Sequence, residues 1–323
     1  KGAVILREYG VLHRPTRVWA RDNPHETITL REQLIYGDGG DPNQPAERRQ
    51  ARQALNLLGK LYRHYDEAGV LSFESYDCKG NLLEKTRRVL KDEEILSIFS
   101  TAARDTWNVA PYRVNWQPAT GGTLDHRESE LLSDVSYCTS TTYDALNRIT
   151  SVTYPQDVDG PDRRKVLVPH YNRAGSLDRV ECHGKPYVER ITYNAKGQRI
   201  LIVYGNGLMT RYAYDLKTFR LRRLRTEPFS LSSAGNTLTY AAGSGIPLQD
   251  FSYAYDLVGN ILAIQDRTTG CGVLNNLDAA TVNDPQLAAL LSAGDALLRQ
   301  FVYDPLYRLR EATGRECADI AGF

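Results

Sequence analysis

The stretch that decides the fold is Ile191–Tyr204, with the sequence ITYNAKGQRILIVY. In it a tyrosine closes one segment, Asn194 follows, and Gly197 comes three residues later, before a run of β-branched and aliphatic residues. An asparagine opens a type I turn by hydrogen bonding to the backbone two residues on, and a glycine accepts the left-handed backbone that ends the turn. Such a turn joins two antiparallel strands with a β-bulge. The stretch therefore predicts a β-hairpin.

The same pattern recurs along the chain, with six clear copies and three degenerate ones that begin at Tyr9, Tyr214 and Tyr303. In eight of the nine copies the residue after the tyrosine is Asp or Asn, and the exception is Gly10. We predict that the tyrosine, the Asp or Asn and the Gly or Asn of each copy are structural turn residues. In the clear copies these residues are Tyr65, Asp66 and Gly69; Tyr76, Asp77 and Gly80; Tyr143, Asp144 and Asn147; Tyr171, Asn172 and Gly175; Tyr193, Asn194 and Gly197; and Tyr255, Asp256 and Gly259.

The spacing of the copies fits a sheet built from successive hairpins. Tyr193 follows Tyr171 by 22 residues, Tyr214 follows Tyr193 by 21, and Tyr255 follows Tyr214 by 41. About 21 residues accommodate two strands of typical length and two turns. We therefore predict an all-β fold, a long antiparallel sheet of consecutive β-hairpins, with residues 1–323 forming one repeat segment.

Three insertions interrupt the repeat, at residues 38–60, 91–135 and 277–300. The first contains a helix candidate at Pro45–Leu55, and the second contains an irregular stretch with Trp107 and Trp116. In the third, Asp284 is a predicted N-cap and Pro285 the first helical residue. We interpret the insertions as short helices or loops on the sheet, not as separate functional modules.

Composition excludes several classes of function. The 40 Lys and Arg residues nearly cancel the 39 Asp and Glu residues, so the clustered positive charge of a nucleic-acid-binding protein is not expected. There is no run of 18 apolar residues, which argues against a membrane-spanning helix. The five cysteines have no CxxC spacing, so we expect free thiols without a zinc site or a disulfide framework. The start has neither a methionine nor signal-peptide features, and we expect the chain to be a piece of a longer polypeptide.

Catalytic and metal-binding interpretations are weaker than structural ones. His64 lies beside a repeat tyrosine and is expected to be a strand residue, while Cys182 and His183 have no partners at zinc spacing. Asp38 and Asp41 lie in a stretch with too few oxygen donors for a calcium loop, and a polar turn explains them equally well. The repeat aspartates alternate with asparagines, which cannot serve as acids, so turn formation explains both. We expect no enzymatic activity, no cofactor and no metal.

The repeat resembles that of the YD/RHS family, and three stretches look most like the C-terminal part of the B component of Tc insecticidal toxin complexes: Leu55–Asp66, Tyr76–Leu83 and Tyr303–Glu316. The resemblance implies a sheet that curls as part of a hollow shell and encapsulates a toxin polypeptide. It implies as partners the enclosed polypeptide and neighbouring RHS repeats of the same or a partner subunit, in a secreted or cell-surface bacterial toxin complex. The family's self-cleaving motif and its cytotoxic region have no match in the chain.

A second class of function stays open, an extracellular adhesive or carbohydrate-binding YD-repeat surface. The chain has 20 tyrosines, and their rings could stack against sugars. Aromatic clusters on an outer face and measurable glycan binding would favour this alternative. Tyrosines occur at both strand parities, so the sequence does not decide which face of the sheet would line a lumen.

Overall fold

A computed structural model describes residues 2–38, 45–101, 111–156, 164–234 and 237–314. The chain divides into two compact units, Lys1–Val168 and Pro169–Phe323. Strand β9 (Val166–Tyr171) contributes residues to both units.

The first unit is mainly β-structure. Its strands are β1 (Val4–Tyr9), β2 (Pro15–Arg21), β3 (Thr29–Tyr36), β4 (Leu61–Asp66), β5 (Gly69–Tyr76), β6 (Leu82–Leu90), β7 (Leu132–Tyr143) and β8 (Ile149–Thr153). Its helices are α1 (Ala46–Ala54), α2 (Asp92–Leu96), a 3₁₀ helix at Ser97–Thr101 and α3 (Leu124–Leu131).

The second unit repeats this composition. Its strands are β10 (Leu177–Cys182), β11 (Lys185–Tyr193), β12 (Arg199–Tyr204), β13 (Leu208–Tyr214), β14 (Leu221–Ala234), β15 (Thr237–Ala242), β16 (Gln249–Tyr255), β17 (Ile261–Asp266), β18 (Leu297–Tyr303) and β19 (Leu309–Ala312). Its helices are α4 (Pro285–Ala293) and a 3₁₀ helix at Leu277–Ala280.

Strands that follow one another in sequence are neighbours in the sheet, and together the 19 strands form one antiparallel sheet, which confirms the predicted fold class. One strand departs from the simple order. The first half of β14 pairs with β13 and β16, whereas its second half pairs with β15. Strand β14 is therefore long enough to carry both the continuing sheet and a two-stranded extension.

The insertion at 91–135 contributes directly to the core of the first unit, a role that the sequence did not suggest. Trp116 is 0% exposed and packs edge-on against Tyr65, with ring centroids 5.1 Å apart. Its indole Nε1 donates to the carbonyl oxygen of Asp66 at 3.0 Å, and its backbone N–H donates to the carbonyl of Leu30 at 2.9 Å. Leu131 of α3 belongs to the same buried cluster. This irregular stretch therefore covers the sheet and closes its core.

The insertion at 277–300 folds as predicted at its helix. The Asp284 side chain accepts the backbone N–H of Gln286 at 2.9 Å, and Pro285 occupies the first turn of α4. The helix ends at Gly294, whose φ of 74° is left-handed. One face of α4 is buried through Leu287 and Leu291, which cluster with Ala296 and Leu298. Helix α1, in contrast, has no buried residue.

Trp116 provides a test of the core role of this insertion. We expect Trp116→Ala to lower the free energy of unfolding by about 3–5 kcal/mol, because it removes a fully buried ring and leaves a cavity beside Tyr65. Urea denaturation followed by circular dichroism measures the change. Trp19→Ala, which removes a ring that is only partly buried against the same cluster, is the control and should cost less. Equal costs would contradict the role assigned to Trp116.

Candidate functional site: the tyrosine turns

Apart from the turn after Tyr204, which lies at the opposite strand end, nine connections begin at a strand-terminal tyrosine and lie at the same end of the strands within each unit; eight of them are hairpin turns, and the connection after Tyr36 holds the insertion at 38–60. We term them the tyrosine turns; they begin at Tyr9, Tyr36, Tyr76, Tyr143, Tyr171, Tyr193, Tyr214, Tyr255 and Tyr303. In eight of them the pairing register shifts by one residue at the tyrosine itself, the predicted β-bulge.

The turn after Tyr193 shows the shared geometry. The N–H of Gly197 donates to the carbonyl of Asn194 at 3.0 Å, and the N–H of Asn194 donates to the carbonyl of Gln198 at 2.9 Å. Gly197 has a φ of 76°, in the left-handed region. The side-chain Oδ1 of Asn194 accepts the N–H groups of Lys196 and Gln198 at 2.9 and 3.0 Å. One side-chain oxygen therefore takes two backbone donors and fixes the turn, as the sequence pattern predicts.

Asp77, Asp144, Asn172 and Asp304 accept the N–H groups two and four residues on in the same way. At Asp144 the second carboxylate oxygen also accepts Arg148 Nε at 2.7 Å. The pKa of Asp144 is lowered, first by the backbone N–H of Arg148 and then by its guanidinium. Each turn aspartate is thus stabilised as the ionised acceptor that the turn uses.

The turn after Tyr214 is one residue longer than the turn after Tyr193. Asp215 N–H donates to the Arg220 carbonyl at 2.8 Å, and the left-handed residue is Phe219 with a φ of 59°. Asp215 still accepts two backbone N–H groups, from Lys217 and Thr218. The extra residue explains why Thr218 does not fit the fifth position of the repeat.

Seven of the nine tyrosines donate their hydroxyl to a backbone carbonyl at the preceding tyrosine turn. The donor and acceptor pairs are Tyr36 to Pro15, Tyr76 to Leu61, Tyr143 to Leu82, Tyr193 to Leu177, Tyr214 to Arg199, Tyr255 to Leu221 and Tyr303 to Ile261, at 2.8–3.3 Å. In six of the seven the acceptor carbonyl belongs to the residue that pairs with the preceding repeat's tyrosine across its turn.

The tyrosine hydroxyl bonds lie just beyond the end of the backbone pairing between neighbouring strands. The backbone pairing of β6 with β7 ends at Glu84 and Ser140, and the hydroxyl of Tyr143 reaches the carbonyl of Leu82, two residues further along β6. A half-buried carbonyl at a sheet margin needs a donor, and here a side chain supplies it where the backbone ladder has stopped. Each tyrosine thereby extends the ladder to the start of its neighbour's turn.

Tyr65 was predicted to precede a repeat turn but does not lie among the tyrosine turns, whereas Tyr36 does. Tyr65 precedes a turn at the opposite strand end, is fully buried, and donates its hydroxyl to Glu128 at 2.5 Å. Glu128 of α3 also accepts Arg63 at 2.8 Å, and burial is the largest cause of the raised pKa of Tyr65. Tyr36, which is not among the predicted copies of the repeat, pairs with Leu61 across the insertion at 38–60. Leu34, two residues before Tyr36, gives the strand-parity signal that could have identified it.

The residues considered as catalytic or metal-binding candidates lie in strands and turns, where they contact neighbouring side chains or shape the backbone. His64 lies in β4, and its Nε2 is 3.1 Å from Glu32 on the neighbouring strand β3. His183 sits in the turn after β10 with a φ of 51°. Asp38 accepts two bonds from Arg14, whereas Asp41 lies outside the described residues, as do Trp107 and Cys317. Among the side chains that the structure describes, no three His, Cys, Asp or Glu residues converge as a metal site.

No protein-family profile matches the chain. It is 28% identical over 313 residues to the toxin subunit YenC2 of Yersinia entomophaga, covering 94% of this chain and 26% of that protein. The subunit YenC1 of the same organism is 27% identical over 331 residues, with coverages of 98% and 28%.

The solved structures agree with these relatives. The TcdB2-TccC3-Cdc42 crystal structure superposes with a TM-score of 0.59 at 25% identity over 99% of this chain. The chain matches an RHS-repeat component of a Tc toxin. The Tc holotoxin pore of Photorhabdus luminescens superposes with a TM-score of 0.58. The chain spans about a quarter of the length of the curated relatives that it matches and 12% of the matched solved chains.

The predicted resemblance to the RHS-repeat components of Tc toxins is thus confirmed. The finer assignment to the B component stays a prediction, because the curated relatives are the subunits YenC1 and YenC2 and the solved structures hold TcdB2 together with TccC3. In the described part of the chain, none of the helices combines the length and apolar character that crossing a bilayer requires.

The hydroxyl bonds of the tyrosine turns predict a modest, position-specific effect. Tyr193→Phe should lower the free energy of unfolding by about 0.5–1.5 kcal/mol, because the carbonyl of Leu177 loses its 2.8 Å donor. Tyr187→Phe, on the same strand but with an exposed ring, is the matched control and should change stability little. The two variants are compared by urea denaturation, and a larger loss for Tyr187→Phe would refute the assignment.

The turn aspartates predict an acid-sensitive fold. The pKa values of Asp77, Asp144 and Asp304 are lowered in the folded chain, mainly by hydrogen bonds from the residues four positions on. Their contribution is complete above the unfolded pKa of about 3.9 and is lost as the pH falls through the lower folded values. The free energy of unfolding should therefore decrease as the pH is lowered below about 5.

A triple variant isolates this effect. Asp77→Asn, Asp144→Asn and Asp304→Asn together keep the turn geometry that Asn172 and Asn194 show, but cannot titrate. Denaturation curves between neutral and acidic pH should show a shallower loss for the triple variant than for the native chain. Parallel curves would mean that other groups cause the acid sensitivity.

Proposed function

We propose that the chain is a structural wall segment of an RHS-repeat cocoon, which encapsulates a toxin polypeptide for delivery. The observation that carries the proposal is the sheet of repeated hairpins, whose turns are held by side chains of the repeat itself. The chain that forms it matches Tc toxin components over 94–99% of its length. Such a sheet is a surface that grows by adding repeats. The expected curvature into a hollow shell belongs to this proposal.

The chemistry of the repeat supports a wall and not a catalyst. The turn carboxylates accept bonds from their own backbone and have lowered pKa values, chiefly through those hydrogen bonds, so they are poor general acids at neutral pH. Most repeat tyrosines use their hydroxyls on neighbouring carbonyls. We therefore propose that the chain is not an enzyme and uses no cofactor or metal.

The outer strands of the described sheet support the proposed partners. Strand β1 pairs with β2, and β19 pairs with β18, each along one side only within the residues that the structure describes. Ile5 of β1 is 63% exposed. An apolar strand with free backbone groups pairs readily with another strand. We propose that neighbouring RHS repeats of the same or a partner toxin subunit cover these strands, and that the enclosed toxin polypeptide is the second partner.

The same proposal places the protein in a secreted or cell-surface bacterial toxin complex, without nucleic acid and without a membrane span. The adhesive or carbohydrate-binding alternative requires tyrosines that can hydrogen bond to sugars. Since the repeat tyrosines Tyr193, Tyr214 and Tyr255 already donate to backbone carbonyls, they are poorly suited to that task.

Self-association through the outer strands β1 and β19 tests the wall proposal. We expect the purified chain of residues 1–323 to associate with itself in light scattering, because β1 and β19 offer unpaired strands. Ile5→Lys should reduce this association, since a lysine on an edge strand opposes pairing. Leu216→Lys makes a matched apolar-to-charged change at a turn, where the side chain is 89% exposed, and should leave association unchanged.

Two further readings distinguish the proposed functions. In the complete toxin complex that contains this chain, the toxin polypeptide should resist added protease until the shell is denatured. A monodisperse monomer of the isolated chain, together with a toxin polypeptide that is digested freely in the complex, would overturn the wall proposal. Binding to a glycan array by the same monomer would instead support the adhesive surface.

A further inference from the structure

A cavity of about 360 Å³ lies within the second unit, across strands β12, β13 and β14. Three arginines, Arg211, Arg223 and Arg225, contribute to its lining, with Ile200, Tyr212 and Ala213 completing it. None of its lining residues belongs to a tyrosine turn. Arginine side chains normally extend into solvent from a sheet, so three of them around one cavity require a cause.

The cause is a pair of buried carboxylates beneath the arginines. Glu227 is 2% exposed and Asp250 is 4% exposed. Asp250 accepts Nε and Nη2 of Arg223 at 2.7 and 2.6 Å, a bidentate pair. Glu227 accepts Nε of Arg225 at 2.8 Å and also binds Arg211. The acids thus fix the orientation of all three guanidinium groups from one side.

The arginines and carboxylates of this cavity do not balance in charge. Arg211 lies directly opposite Arg225, a pairing of like charges that destabilises a sheet unless counter-charges compensate. Three arginines face two carboxylates, so the group carries a net charge of +1. Arg223 pairs with Asp250 through two of its three nitrogens, and within the described residues no carboxylate is paired with its Nη1. The arginines remain part-exposed to solvent, so a further acceptor can reach them.

We propose that this cavity binds the carboxylate side chains of an acidic polypeptide segment. A guanidinium held from one edge presents its remaining N–H groups in a planar fork, and that fork matches a carboxylate. The cavity is larger than one small anion needs, and Ala213, which lies on the same strand face as the arginines, suits the stem of a glutamate or a neighbouring small side chain. This binding site goes beyond the proposed wall function and does not require it.

The experiment uses the chain of residues 1–323 and a fluorescein-labelled peptide of alternating Glu and Ala, with binding followed by anisotropy at low ionic strength. Arg211→Gln removes one guanidinium while Arg225 still holds Glu227, and should weaken binding by about tenfold or more. Ala213→Glu places a competing carboxylate opposite Arg223 without removing any arginine, and should weaken binding at least as much. Ala213 is exposed, so the glutamate side chain does not have to be buried and the second variant should fold as the native chain does.

Arg222→Gln is the matched control. Arg222 neighbours Arg223 on β14, but strand alternation directs its side chain to the other face, where it pairs with Asp215 at 3.6 Å. This variant loses the same charge and should bind the peptide as the native chain does. Equal weakening by Arg222→Gln and Arg211→Gln would overturn the site, since it would show a general effect of charge.

Two other outcomes also contradict the proposal. A peptide of alternating Gln and Ala that binds as tightly as the Glu peptide would show that carboxylates are not recognised. Inorganic phosphate that binds in competition assays with a reporter anion, in a chain that does not bind the Glu peptide, would show a small-anion site in place of a peptide site. Self-association of the chain, which tests the wall, has no bearing on any of these results.

Discussion

The structure depends on one small interaction, in which the side-chain oxygen of a turn Asp or Asn accepts two backbone N–H groups. At Asn194 those donors are Lys196 and Gln198, and the same pattern at Asp144 is reinforced by Arg148. The interaction fixes the left-handed residue and the bulge, and the bulge determines which residues face each other along the following strands. A slip of one residue would reverse the two faces of the sheet, so local turn chemistry controls long-range register.

The tyrosine before each turn extends that control to the neighbouring hairpin. Its hydroxyl reaches the neighbouring strand and satisfies a carbonyl that lies beyond the last backbone pair, as with Tyr143 and Leu82. Each such bond contributes only modestly, about 1 kcal/mol. Seven such bonds recur along this margin of the sheet. The strands between the turns are then free to differ in sequence while the repeat is kept.

The sequence predicted those features that are encoded within a few neighbouring residues. The hairpin at Ile191–Tyr204 and the capped start of α4 at Asp284 both follow from local turn and cap chemistry. Features that depend on distant residues were missed. Tyr36 pairs with Leu61, which follows only after an insertion. Trp116 is buried against the ring of Tyr65, whose side chain lies in the core.

The arginine group illustrates the same limit. Arg223, Arg225 and Glu227 alternate along β14, which places them on one face, but Arg211 and Asp250 come from other strands. Strand parity could have indicated a charged face. It could not have shown that two of the acids are buried, because burial depends on which strands become neighbours.

The positions of the insertions have a consequence for how such a chain can diversify. Tyr36 pairs with Leu61, Leu90 with Leu132, and Asp266 with Leu297, although 24, 41 and 30 residues lie between the members of each pair. The entropic cost of closing a loop rises only with the logarithm of its length, so a longer excursion adds little once the flanking strands are paired. The three connections therefore accept long inserted segments at little entropic cost, and the segment at 91–135 has in addition become part of the core through Trp116 and Leu131.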